Sequence, residues 1–186
     1  MRKKIAASIA GILLFVYLGL SIYVISMQGI EDLLLCADRG GVKVPFSKQL
    51  CRKYLLNFRG STEDINTLQQ GIGALFVTQG ESTTFERTEL LRFLIGKGLE
   101  VNRAGMDRLL PLHGAVLANS ADEVKILLGN GANPTLKDNR FELTPLELAL
   151  KLQREYKTPN DRSAVIAILR NKNFAAQPGS HPDAAR

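Results

Sequence analysis

The chain repeats itself, and that constrains its fold more than any other feature. Residues 89–98 run Glu-Leu-Leu-Arg-Phe-Leu-Ile-Gly-Lys-Gly, and residues 122–131 run Asp-Glu-Val-Lys-Ile-Leu-Leu-Gly-Asn-Gly, so that Gly98 corresponds to Gly131. That offset is a period of about 33 residues, within the range that marks stacked repeat units. Each segment carries apolar residues at helical spacing and closes on Gly-x-Gly, where a glycine in the left-handed conformation stops a helix. A second marker keeps step to within a single position. Leu110-Pro111-Leu112-His113-Gly114-Ala115 corresponds to Thr144-Pro145-Leu146-Glu147-Leu148-Ala149. Proline suits a first helical turn, where its missing N–H is not needed. Thr144 can cap that turn and Glu147 can reach back to complete a capping box. Leu110 has no side-chain oxygen, which predicts a looser start for the earlier helix. A unit of this length cannot bury its own apolar face and must stack on its neighbours.

The period, the Pro-Leu-His marker at 111–113 and the Gly-Ala-Asn ending at Gly131, Ala132 and Asn133 resemble ankyrin repeats. The resemblance implies an all-α, ankyrin-repeat solenoid of helix-turn-helix units, each pair of antiparallel helices followed by a hairpin-like loop. Three units are expected over 62–171. Their inner and outer helices fall near 63–78 and 87–97, then 111–118 and 121–129, then 145–155 and 162–171. The last apolar stripe (Val165, Ile166, Ile168, Leu169) comes later than the period alone would place it. One inserted residue before Thr144 and a longer link around 154–161, containing Pro159, explain the excess. The first unit lacks Pro-Leu-His altogether. Its inner helix rests on Ile65, Leu68, Ile72, Leu75 and Phe76, with Gly71 and Gly73 against it. Upstream, residues 47–58 predict another helix with Leu50, Cys51, Tyr54, Leu55 and Phe58 on one face, Ser47 as its cap and Gly60 as its stop. Residues 28–61 are thus expected to supply N-terminal capping helices. The Ala-, Pro-, Gly- and Ser-rich tail, 172–186, reads as disordered.

Hydrophobic residues make up 45% of the 186-residue chain and charged residues 23%, enough for a packed core. Part of the apolar content is set apart. Residues 5–27 are nearly unbroken apolar sequence, or about 34 Å as a helix against a hydrocarbon layer of roughly 30 Å. One transmembrane helix is therefore expected, with residues 1–4 as its leading segment. A signal peptide cut after Ser26 is the rival. Leu33-Leu34-Leu35 before Cys36 lacks the small residue a lipid-modified cysteine needs. Arg2, Lys3 and Lys4 precede the run and Glu31 and Asp32 follow it. The positive-inside rule then places the N-terminus in the cytoplasm and the bulk outside, in the periplasm if the source is a bacterium. Signal cleavage would leave a soluble periplasmic protein instead. Formal charge is +6, or +3 once the three leading basic residues are removed. With acids interleaved, nothing points to nucleic acid. Cys36 and Cys51 both lie in the exported part; a disulfide between two helices and a pair of buried thiols both fit.

Enzymatic chemistry finds little support. Of two histidines, His181 is in the tail, and His113 sits in the Pro-Leu-His marker, where the resemblance implies a structural side-chain to backbone hydrogen bond. No Gly-x-Ser-x-Gly is present. No Cys-x-x-Cys or His-x-x-x-His spacing supports zinc, and no phosphate loop occurs. Gly71-Ile72-Gly73 lacks the third glycine and the preceding strand of a dinucleotide loop. No cofactor and no metal are expected.

The resemblance implies instead a partner-binding face of hairpin tips and inner helices. By register it comprises Ala104, Met106, Asp107 and Leu109 in one hairpin, and Lys137, Asn139, Arg140 and Leu143 in the next. Leu117, Ala118, Lys151 and Leu152 join from inner helices. Phe141 occupies the inserted position, and Arg103 and Arg108 add to the charged rim. Asp138 stands where such repeats carry a structural aspartate. Leu109, Leu143 and Phe141 have a second reading as packing between neighbouring hairpins. The functional expectation is a non-catalytic module binding a protein partner in the cell envelope. The leading form is an immunity or inhibitor protein that sequesters a periplasm-acting toxic effector, for example a lipase. A scaffold or stabiliser of an envelope enzyme is the alternative.

Overall fold

The computed structural model describes residues 2–40, 46–79, 83–105, 108–155 and 161–171, and at residues 2–8, 10, 79 and 84 the backbone alone. The tail at 172–186, the Pro159 loop at 156–160, and Met106 and Asp107 lie outside the described residues. Among the described residues the secondary structure is entirely helical. The chain divides into two compact bodies, Met1–Arg59 and Gly60–Arg186.

In the first body, α1 (Arg2–Ser26) precedes α2 (Ile30–Arg39) and α3 (Ser47–Phe58). Along α1, described apolar side chains from Ile9 to Val24 are exposed, Phe15 by 79%. Among the described residues no helix is long and apolar enough to cross a membrane. The apolar run at 5–27 includes residues 5–8 and 10, whose side chains are not described. Glu31 and Asp32 occupy the first turn of α2 and Arg39 its last, complementing the helix dipole. The helix ends on Gly40 at φ 77°, a left-handed stop that glycine adopts without strain. Leu33, Leu34, Cys36 and Ala37 of α2 and Cys51 and Leu55 of α3 are buried, and α2 lies along α3. Cys36 and Cys51 are joined in a disulfide, with Cα atoms 5.8 Å apart. Ser47 does not cap α3. The N-cap is Phe46, in the left-handed region at φ 62° with no side-chain cap bond, and Ser47 is buried inside the first turn.

The second body opens with α4 (Thr62–Gln70), a 3-10 turn (Gly73–Leu75) and α5 (Phe76–Gln79). The expected continuous inner helix at 63–78 is therefore broken. Gly71 leaves helical geometry at φ −89°, ψ −120°, and Gly73 takes φ 53°. α4 starts with a Ser61–Asp64 capping box. The remaining helices are α6 (Thr84–Gly96), α7 (Pro111–Leu117), α8 (Ala121–Gly129), α9 (Pro145–Glu155) and α10 (Ser163–Arg170). α6 begins three residues before the expected 87, because Thr83 and Glu86 form a capping box.

These helices stack in two rows. α7 lies between the 3-10 turn with α5 on one side and α9 on the other, while α8 lies between α6 and α10. Position in the stack explains α7's composition: residues 111–116 are all buried, as a helix flanked on both sides requires. α8 buries Val124, Ile126, Leu127 and Leu128. Between α6 and α8, Arg87 reaches Glu123 at 2.7 Å, with side chains 11% and 9% exposed, and also donates to the Val77 carbonyl at 2.8 Å. Burial makes that pair costly to break singly, because one charge is left without a partner.

The disulfide closes a separation of 15 residues, which stabilises by about 3 kcal/mol through the unfolded chain. The paired Cys36→Ser and Cys51→Ser substitutions are expected to speed amide hydrogen exchange throughout α2 and α3 while leaving α7–α9 unchanged. Unaltered exchange in α2 and α3 would contradict that role.

Candidate binding face

Two hairpins project at the ends of consecutive helix pairs. The first closes with Gly105 N–H donating to the Leu109 carbonyl at 3.3 Å, and the second with Asp138 N–H donating to the Leu143 carbonyl at 3.1 Å. The residue before each closing leucine is left-handed, Arg108 at φ 61° and Glu142 at φ 56°. The extra residue therefore lies in the tip of the second hairpin.

Asp138 is 1% exposed, and its carboxylate joins the two hairpins. One oxygen accepts from Arg140 N–H at 2.7 Å and Phe141 N–H at 3.2 Å. The other accepts from Leu110 N–H at 2.8 Å. Leu110 is the N-cap of α7 and has no side-chain cap bond. The start of α7 is thus held by an acid from the following hairpin rather than left loose. α9 does form the expected capping box. Thr144 N–H donates to Glu147 at 2.8 Å, and Glu147 N–H donates to the Thr144 hydroxyl at 3.3 Å. The Thr144 N–H and the Thr144 hydroxyl, both donating to the Glu147 carboxylate, hold its pKa below the ordinary value.

His113 is fully buried. Its Nε2 lies 2.8 Å from the Leu143 carbonyl. A carbonyl only accepts, so Nε2 carries the proton and Nδ1 is the bare nitrogen. Nδ1 is buried with no partner among the described residues. Burial lowers the imidazole's pKa, partly opposed by the Leu143 hydrogen bond and the Asp138 charge. The Leu143 carbonyl therefore receives both the hairpin's own N–H and the imidazole of the preceding helix pair. A neutral, enclosed ring committed to a carbonyl is placed to join repeats, not to shuttle protons.

A further polar joint was not legible in the sequence. Arg162 is 6% exposed and its guanidinium donates to the carbonyls of Val116 and Leu117 at the end of α7. Its backbone N–H donates to Gln153 at 2.6 Å. Burial lowers its pKa. A lone arginine shortly after Pro159 carries no local signal of such a role, because its acceptors lie 45 and 46 residues away.

The expected face is only partly gathered. Arg103, Arg108, Ala118, Lys137, Asn139, Arg140 and Lys151 are exposed. Ala104, Leu117, Phe141, Leu143 and Leu152 are half-buried. Leu109 is a correction. It is 7% exposed, beside Gly114, where an added Cβ would lie 3.6 Å from its side chain; it packs inside the stack and cannot face a partner. Met106 and Asp107 are outside the described residues. Among the described residues no cluster of His, Cys, Asp and Glu could hold a metal ion.

Residues 91–149 match the family model for ankyrin repeats (many copies). The match runs from the middle of α6 into α9, so it includes both hairpins, Asp138 and His113, and it supports the ankyrin-repeat family for that segment. No curated protein and no solved structure matches the chain.

Because the folded pKa of His113 is lowered, its contribution is complete above the ordinary value of 6.5 and is lost as pH falls below it. The thermal midpoint of the full chain is expected to fall as pH drops from about 7.5 to about 5.5. His113→Phe should start from a lower midpoint and lose that dependence. An unchanged pH profile in His113→Phe would contradict the assignment.

Proposed function

We propose that this ankyrin-repeat stack is a non-catalytic protein-binding module, tethered to the inner membrane by α1 and working on the periplasmic side of a bacterial envelope. The observation that carries the binding reading is the exposed set on the second hairpin and inner helices: Asn139, Arg140, Ala118 and Lys151. These side chains stand on a scaffold that has already taken up His113 and Asp138 internally. The tether rests on the apolar run at 5–27 and the exposed apolar side chains of α1. The orientation rests on Arg2, Lys3 and Lys4 before that run. A buried Cys36–Cys51 bridge fits an oxidising compartment.

In the form we favour, the module is an immunity or inhibitor protein. It covers the working surface of a toxic effector that acts in the periplasm, such as a lipase. A tether keeps the module where such an effector arrives, and a binding stack needs no chemistry of its own.

The test is capture of the partner by the tagged full-length chain from its native envelope, followed by assay of the partner's hydrolytic activity. Stoichiometric addition of the chain is expected to inhibit, and Ala118→Trp on the exposed end of α7 should weaken inhibition about tenfold. A partner that keeps its activity when bound would replace inhibition with scaffolding. Failure of Ala118→Trp to affect any captured partner would remove the binding face itself.

A further inference from the structure

We infer that the partner presents an acidic protein segment to this face, anchored on Arg140 and Arg108 at the hairpin tips; this deepens the binding reading and rests on it. Four exposed cations carry the inference: Arg108, Lys137, Arg140 and Lys151. Arg103 is partly spent on Glu100 at 3.4 Å and contributes less. Of the nearby acids, Glu147 is turned onto Thr144, accepting from both its N–H and its hydroxyl at 2.8 and 2.9 Å, while Glu142 is exposed in the second hairpin. The outer row mixes paired cations with exposed ones such as Arg170. Lys125 faces Asp122 at 3.5 Å, Arg87 is buried on Glu123, and Arg92 donates to Asn130 at 3.2 Å.

The second tip is also preorganised. The Arg140 guanidinium lies over the Phe141 ring at 5.4 Å from its centre, and both backbone N–H groups are fixed by the buried Asp138 carboxylate. A guanidinium stacked on a ring keeps its N–H fork for a carboxylate and gives up little freedom on binding it. Leu110, two residues after Arg108, is bonded to the same Asp138 carboxylate, so the bases of the two hairpins are tied side by side. An acidic segment crossing both meets two guanidinium forks, flanked by Lys137 and Lys151.

A protein fits this surface better than other anions do. An anionic lipid surface is met by clusters of about four to eight contiguous basic residues. Nucleic acid is met by an extended basic stripe. Here single cations alternate with half-buried Leu117, Phe141 and Leu152, the mixture of apolar core and polar rim that protein interfaces use. A second copy of this chain would bring the same positive face and be repelled.

The experiment measures binding of a fluorescent peptide of alternating glutamate and leucine to the full-length protein in neutral detergent. Its glutamine counterpart and phosphatidylglycerol vesicles are run alongside. The glutamate peptide is expected to bind, and the glutamine peptide to bind at least about tenfold more weakly. Arg108→Gln with Arg140→Gln should weaken the glutamate peptide about tenfold or more, whereas Lys125→Gln with Arg170→Gln on the outer row should not. Equal loss in both pairs, equal binding of both peptides, or no binding overturns the inference. Vesicle binding that depends on Arg108 and Arg140 without peptide binding overturns it in favour of a membrane surface. The captured native partner separates this inference from the reading beneath it. A partner weakened by Ala118→Trp but indifferent to the arginine pair overturns the acidic segment alone. Indifference to both substitutions removes the binding face.

Discussion

The Asp138 carboxylate is the contact on which the rest of the second and third helix pairs depends. Three backbone N–H groups converge on two buried oxygens: Arg140 and Phe141 from its own tip, and Leu110 from the previous hairpin. Hydrogen bonds to a charged acceptor stabilise by about 1.5–3 kcal/mol each, without simple additivity. The same group therefore shapes the tip, closes the start of α7 and keeps two hairpins in register. His113 repeats the arrangement deeper in the stack, crossing from α7 to the Leu143 carbonyl. Arg162 completes it at the far end of α7. The Asp138 carboxylate satisfies N–H groups that a helix start would otherwise leave unpaired, while His113 and Arg162 add a second donor to the Leu143 and Val116 carbonyls, which already accept locally.

The joint between the first and second pairs is built by another route. Gly105 closes the first hairpin in the place that Asp138 holds in the second, and it has no side chain to offer. A Cβ there would lie 3.0 Å from the Gly71 carbonyl and 3.2 Å from Leu75. The broken inner segment of the first pair occupies that space. At Gly114 a Cβ would meet Leu75 at 2.7 Å, so Leu75 packs directly on the α7 backbone. Shape complementarity and the buried Arg87–Glu123 pair do here what Asp138 and His113 do one repeat later. The two hairpins are consequently unlike: one lies against backbone, and the other carries a braced aromatic and arginine tip.

Regular repeats were legible because each signal was local. The α8 and α9 boundaries coincide with those read from periodicity, and the Thr144–Glu147 box forms as its spacing implied, since cap and acid are three residues apart. Sequence reading failed where a distant group decided the outcome. Leu110 looked uncapped because its acceptor is 28 residues away. Leu109 carried both a partner-facing and a packed reading, because hairpin position says nothing of the space beside Gly114. The first inner helix looked continuous because its apolar spacing outweighed Gly71 and Gly73, whose backbone freedom the fold uses. For the face, Lys137, Arg140 and Lys151, the cations named by register, are exposed. Register did not reveal that Arg140 stacks on Phe141, which depends on the inserted residue's rotamer and on Asp138 beneath it.

The most direct measurement is amide hydrogen exchange on the full-length chain with Asp138→Asn and Asp138→Ala. If one carboxylate unites the tip and the neighbouring hairpin, protection at Leu110, Arg140 and Phe141 should fall together, more in the alanine variant than in the asparagine one. Loss confined to Arg140 and Phe141, with Leu110 still protected, would mean that the hairpins stand independently and that no shared brace supports the face.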